Sequence, residues 1–272
     1  MAHTNSTRLG RMLIVLLSIA ILSLCTLPLQ AESGEPESAE SSSFPAQTQG
    51  NPSGFRIREP IVYIGGHWGA NFPRADSDLF DMVTRELTLE KNDFRSSTVA
   101  FDFGVLIQSH WAAVFALEYG RTSKVSESRD WVDENDQPIR QTTRFRQLPV
   151  TGTIRYYPIA FGESVGSYAW VPTRVLPYVG AGVGFIHYKF RQEGDFVDNV
   201  TLDIFSAEME SSGFALTKHL VAGADISLTP LIMLNMEARY NWARADLSGN
   251  YRDFYPIDLA GFRLSGGVCF RF

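Results

Sequence analysis

The stretch that most limits what this chain can become is its last, residues 261–272. Phe262, Leu264, Gly266, Val268, Phe270 and Phe272 fall on one parity, and Arg263, Ser265, Gly267, Cys269 and Arg271 on the other. Such alternation belongs to a β-strand, whose successive side chains point to opposite faces. The apolar face runs to the final residue, while the opposite face carries arginines. A chain end exposed to water normally frays. A strand with lipid on its apolar side and an enclosed lumen on its polar side accounts for a Phe-Arg-Phe terminus.

The opposite end of the chain has the layout of a secretory leader. Arg8 and Arg11 precede the apolar run 12–24 and then Leu27-Pro28-Leu29-Gln30-Ala31, so cleavage is expected after Ala31 and residues 1–31 read as a signal peptide. A membrane-spanning helix would need about 18 uninterrupted apolar residues, whereas Ser18, Ser23 and Thr26 dilute this run and Pro28 closes it. Residues 32–57 are rich in Ser, Glu, Pro and Gln and read as a disordered periplasmic tail, because they cannot bury enough surface to offset ordering entropy. Residues 58–272 form the remaining domain. The formal net charge of -6 becomes more negative once the two leader arginines are gone, which does not support a basic nucleic-acid surface. Only Cys269 would remain, so neither a disulfide framework nor a cysteine metal site is available. No segment after the leader is long and apolar enough for a membrane helix. A membrane location therefore demands closed β-structure, since lipid cannot satisfy an open strand edge.

Alternating segments recur along the domain. Strands are expected at 61–69, 98–107, from 111 to about 120, up to 157, and at 176–185, 214–228, 231–243 and 261–272, about eight in all. Polar connections separate them at 73–97 (with a short helix near 79–87), 121–141, 192–212 and 244–259, while 108–110 and 229–230 are tight turns. Long and short connections alternate as in an outer-membrane barrel, with extracellular loops and periplasmic turns; only 158–174 is longer than that rule expects. Trp111, Tyr156, Phe270 and Phe272 would form one aromatic girdle, and Tyr119, Phe185, Tyr240, Trp242 and Phe262 the other. The fold class is thus all-β: a closed antiparallel transmembrane β-barrel of about eight strands.

From about Pro60 onward the chain resembles the small outer-membrane β-barrels of the opacity-protein and outer-membrane protein A type. Tyr178-Val179-Gly180-Ala181-Gly182-Val183-Gly184, Arg155-Tyr156-Tyr157-Pro158 and the terminal Phe270-Arg271-Phe272 carry the resemblance. It implies location in a bacterial outer membrane, in contact with lipid and lipopolysaccharide. It also implies that Phe270 and Phe272 belong to a signal read by the barrel-assembly machinery. No peptidoglycan-binding domain is expected after Phe272. The resemblance does not choose one activity, because such barrels serve as adhesins, anchors, narrow channels and occasional lipid-modifying enzymes.

Inward-facing charges are the candidates for function: Asp102, Glu118, Arg155, Asp225, Glu237, Arg239, Arg263 and Arg271, with His219 beside them. A barrel of about eight strands is just wide enough for side chains to fill. These groups form either a structural ion network, since buried charges must pair, or a gate whose rearrangement opens a narrow porin-like path. A lipid-modifying enzyme would need Ser, His and an acid within hydrogen-bond reach; His219 and Glu118 could enter such a set, but no His-x-Ser pair of the deacylase kind occurs. The histidines His67, His110, His187 and His219 lack metal-ligand spacing, and no cofactor is expected. The acidic segments 130–136 and 194–198 could contact an extracellular ligand or host protein. The expectation is therefore a non-enzymatic outer-membrane barrel with a structural or adhesin-like surface role, the alternative being a narrow channel gated by the lumen charges.

Overall fold

The computed structural model describes residues 59–133, 136–165, 169–198, 201 and 203–272. The expected signal peptide (1–31) and tail (32–57) lie outside the described residues. Eight long antiparallel strands close on themselves: β1 (Val62–Pro73), β2 (Ser96–Gln108), β3 (Trp111–Val132), β4 (Pro138–Tyr156), β7 (Val175–Val197), β8 (Ile204–Ser227), β9 (Ile232–Ala245) and β11 (Gly261–Arg271). Short strands β5 (Gly162–Val165) and β6 (Ala169–Pro172) pair with each other, and β10 (Ile257–Asp258) joins β9. Each long strand pairs with its neighbour, and β1 pairs with β11 to seal the ring. At the seam the Ile61 amide donates to the Phe272 carbonyl at 2.8 Å, and the Phe272 amide to the Val62 carbonyl at 2.8 Å. Closure leaves no edge through the common height of the ring.

Period-two alternation sets which side chains line the lumen. Phe101, Leu117, Ile154, Leu220 and Met236 are exposed outside, while Asp102, Glu118, Arg155, Val221 and Glu237 are buried inside. The expected girdle residues are exposed on the outer face, Tyr240 less fully than the others; the Trp111 and Tyr156 rings meet tilted at 4.9 Å, and Tyr240 and Trp242 edge to face at 4.7 Å.

Strand lengths depart from expectation. β3, β4, β7 and β8 have 22, 19, 23 and 24 residues, against 12, 13, 14 and 11 in β1, β2, β9 and β11. Residues 121–141 and 192–212, expected as loops, are instead mostly sheet: Arg121 pairs with Arg146, and the β7–β8 ladder continues to Val197 and Ile204. Four adjacent strands thus rise as a wall above the other four. We call this end the mouth and the end holding Phe272 the floor.

The first long connection folds back into the mouth. Helix α1 (Asp78–Glu86) has Asp78 and Asp81 in its first turn and Arg85 in its last, complementing the helix dipole. Its buried Leu79, Phe80 and Val83 pack with Phe94 against the inner face of the wall, on Phe145, Ile186, Tyr188, Phe190 and Ala215. The last long connection adds Leu247, Tyr251, Ile257 and Leu259 to this cluster. These connections form an apolar plug.

The floor is closed in a similar way, which explains the long connection 158–174. Its β5–β6 hairpin carries Phe161 and Trp170 into a second apolar cluster with Tyr157, Leu176, Tyr178, Val221 and Ala112. The Tyr157 and Phe161 rings meet edge to face at 4.7 Å.

Candidate functional site

Between the two plugs lies the waist of the lumen, and all eight charged residues singled out from the sequence are buried inside the barrel. They comprise four carboxylates and four guanidiniums, so the set is formally balanced. The structure divides them into three groups.

The central group is built on Glu237 of β9. Its Oε2 accepts from Arg155 Nη2 at 2.6 Å and from the Tyr178 hydroxyl at 3.0 Å, and its Oε1 accepts from Arg239 Nε and Nη2 at 3.0 and 2.8 Å. Arg155 also reaches Asp102 at 3.4 Å and donates to the Tyr63 hydroxyl at 2.8 Å, and its guanidinium lies 4.6 Å from the Tyr178 ring centre. Arg239 donates to Thr151 Oγ1 at 3.1 Å. Asp225 joins through neutral groups, accepting from Asn235 at 2.6 Å and from the Tyr157 hydroxyl at 2.9 Å, while Asn235 also donates to Tyr178 at 2.9 Å. Arg263 and Glu118 form a separate ion pair nearer the mouth. Arg271 stands apart at the floor, where it donates to Ser227 Oγ at 2.8 Å and the Thr229 carbonyl at 3.2 Å and lies over the Trp170 ring. Its role in the structure is to hold the floor plug, and it makes no ion pair with the central group.

The aromatic members Tyr63, Tyr157, Tyr178 and Trp170 were not among the residues singled out. Tyr63 and Tyr178 sit on the lumen parity of their strands, which is the signal that could have found them. Gly104 makes room for Tyr63: a Cβ there would lie 2.1 Å from the Tyr63 ring. Gly182, within the glycine column of β7, leaves space for the His219 ring in the same way.

This arrangement leaves little passage. The residual cavity bounded by His67, Asp102, Glu118, Glu237, Arg239 and Arg263 is about 10 Å³, room for about one water at most. A hydrolytic set does not assemble either. His219 Nε2 meets Thr153 Oγ1 at 2.9 Å, its Nδ1 has no hydrogen-bond partner, and Glu118 is occupied by Arg263. His67 lies 3.3 Å from Asp102 and 3.7 Å from Cys269 Sγ through the same nitrogen, Nε2, so it does not bridge them as a relay would. The terminal aromatics Phe270 and Phe272 are exposed on the outer face.

No family model matches this sequence, and no curated protein matches it. Several solved structures are similar. The outer membrane protein OprG from Pseudomonas aeruginosa is 15% identical over 78% of this chain and 96% of its own, with a TM-score of 0.47. Neisserial surface protein A is 16% identical over 78% and 97%, with a TM-score of 0.41. The attachment invasion locus protein Ail of Yersinia pestis is 13% identical over 79% and 100%, with a TM-score of 0.41. At these identities and scores the likeness transfers no function to this chain. What its own geometry assigns is an eight-stranded antiparallel barrel with a filled lumen.

Proposed function

We propose that this protein is an integral outer-membrane barrel that does not conduct and is not an enzyme, and that serves as a surface-interaction scaffold. One observation carries the reading: the lumen is filled along its length, while four strands rise above it as a wall. A filled core with an apolar exterior suits a membrane anchor, and the raised sheet suits presentation of contacts beyond the membrane. The exterior belt of Phe101, Leu117, Ile154, Leu220, Met236 and Val268 is too continuous an apolar surface to face water.

Its height also fits. Trp111 to Arg121 is ten residue steps along β3, and at about 3.3 Å per step and a tilt near 40° this spans roughly 25 Å, the height of the apolar band of membrane barrels. The floor then faces the periplasm and the mouth the exterior, with Phe270 and Phe272 placed for the assembly machinery. An extracellular ligand or host protein would meet the wall at 122–132, 138–145, 188–198 and 203–212. The exposed Val125, Trp131, Val132, Ile204 and Phe205 lie there.

The test is the refolded chain in a planar bilayer, together with whole cells treated with protease. The expected result is no stepwise conductance, with cleavage confined to the tips of the wall. Discrete channel openings would replace this reading with the porin-like one.

A further inference from the structure

A band of cations lies on the outer surface just above the apolar belt. Arg121 of β3 stands directly opposite Arg146 of β4, and Arg146 directly opposite Lys189 of β7. One row higher, Arg144 stands opposite Arg191. Like charges placed directly across a ladder are destabilising, so three in one row call for counter-charge. Carboxylates neutralise part of the band: Lys189 pairs with Glu210 at 2.6 Å, Arg144 with Glu193 at 2.9 Å, and Arg191 with Glu193 and Glu208 at 3.2 and 2.7 Å. Among the described residues no carboxylate lies within ion-pair distance of Arg121 or Arg146, and both are exposed. The row immediately below is apolar and aromatic, with Tyr119, Leu148, His187 and Phe214 outward. Farther round the barrel, Lys218 faces outward opposite Trp242 and also lacks an acidic partner among the described residues.

We infer that Arg121 and Arg146, flanked by Lys189, bind a phosphomonoester on a lipid headgroup in the outer leaflet, whose second negative charge a zwitterionic phosphodiester headgroup lacks. Two guanidiniums on opposed positions can each offer a planar fork of donors to phosphate oxygens, a geometry a single lysine cannot supply. Their place at the upper limit of the belt puts them at the headgroup level. A phosphate bound to both relieves their mutual repulsion, and the acyl chains of the same lipid would run down over Tyr119, Leu148 and Phe185. The site rests on the membrane reading given above and adds to it the chemistry of the lipid.

The test reconstitutes the full chain in vesicles of zwitterionic phospholipid, with or without a lipid bearing a phosphomonoester headgroup. The midpoint of the heat-induced shift in electrophoretic mobility is then read. The phosphomonoester lipid is expected to raise the midpoint by roughly 3–6 °C. Arg121→Gln with Arg146→Gln should lose that rise, whereas Arg140→Gln, which removes an exposed arginine already paired with Glu127, should keep it. Inorganic phosphate at millimolar concentration should give no rise; if it reproduces the effect, the site is an anion site and not a lipid site. Native mass spectrometry of the wild type, comparing retention of the two lipids, stands independently of whether the double variant folds, and equal retention overturns the inference. A chain that inserts but ignores the phosphomonoester lipid overturns this inference alone. One that stays soluble without detergent overturns the membrane reading and takes this inference with it.

Discussion

Glu237 is the residue on which the waist depends, because it accepts hydrogen bonds from two buried guanidiniums and a tyrosine. Removing one partner of a buried ion pair leaves charge uncompensated, a loss of about 3–5 kcal/mol. Glu237→Ala is expected to lower the denaturant midpoint of the refolded barrel accordingly. Arg140→Ala, which breaks only the exposed pair with Glu127, should stay within about 0.5 kcal/mol of wild type. Equal effects from the two would show that the waist is hydrated and not dry. At the rim, Asp93 gives a pH signature. Its carboxylate accepts from the Glu90 amide at 3.0 Å and lies 3.2 Å from Lys124, and these contacts hold its pKa below the ordinary carboxylate value. A folded-state pKa that is depressed contributes stability above the unfolded value and loses it as pH falls through the folded one. The protection factors of amides across 90–95, taken against the intrinsic exchange rate at each pH, should therefore fall below about pH 4. In Asp93→Asn that loss of protection should vanish, and an unchanged pH profile would remove Asp93 as its source.

Elements close this barrel as much as residues do. Phe80 of α1 is fully buried and meets Phe94, Phe145 and Phe190 at 4.7, 5.7 and 6.2 Å. Phe80→Ala is expected to cost about 3–5 kcal/mol of plug stability, and because the plug is a connection and not a rung of the ring, the loss should be local. Limited proteolysis should begin to cut within 74–95 while the mobility shift on heating persists; loss of that shift would mean the plug and ring fold as one unit. What the sequence disclosed at this scale follows from where alternation is enforced. Strands with an apolar exterior and a packed lumen inside show it clearly, as residues 111–119 and 231–243 do. Above the belt, β3 runs Arg121, Thr122, Ser123, Lys124 with polar groups on both faces. Water outside and polar partners inside erase the pattern, so sheet read as loop. In 158–174 the signal was present in Phe161 and Trp170, large aromatics within a connection otherwise free to be polar. Parity alone cannot say that such residues turn back into a lumen.

For the whole molecule, the proposed closed lumen rests on three layers in series: the plug of α1, the waist and the β5–β6 floor. The eight inward charges were legible from parity, but their division into a central network, a separate Glu118–Arg263 pair and a floor anchor was not. That division depends on register around the ring and on four aromatic partners, Tyr63 of β1, Tyr157 just after β4, Trp170 of β6 and Tyr178 of β7. The waist is the barrier carried by the strands themselves, where Tyr63, Arg155, Tyr178, Asn235, Glu237 and Arg239 fill the cross-section with few unpaired groups. A chain in which 76–94 and 159–173 are both replaced by short Gly-Ser linkers should therefore still refold as a barrel in detergent. In a planar bilayer it should show no more current than the empty membrane. Adding Glu237→Ala to that double replacement loosens Arg155 and Arg239 from their shared acceptor, and an unpaired buried guanidinium draws in water. Stepwise conductance is expected only in this triple change. Channels in the double replacement would show that the plugs, and not the ion network, hold the lumen shut.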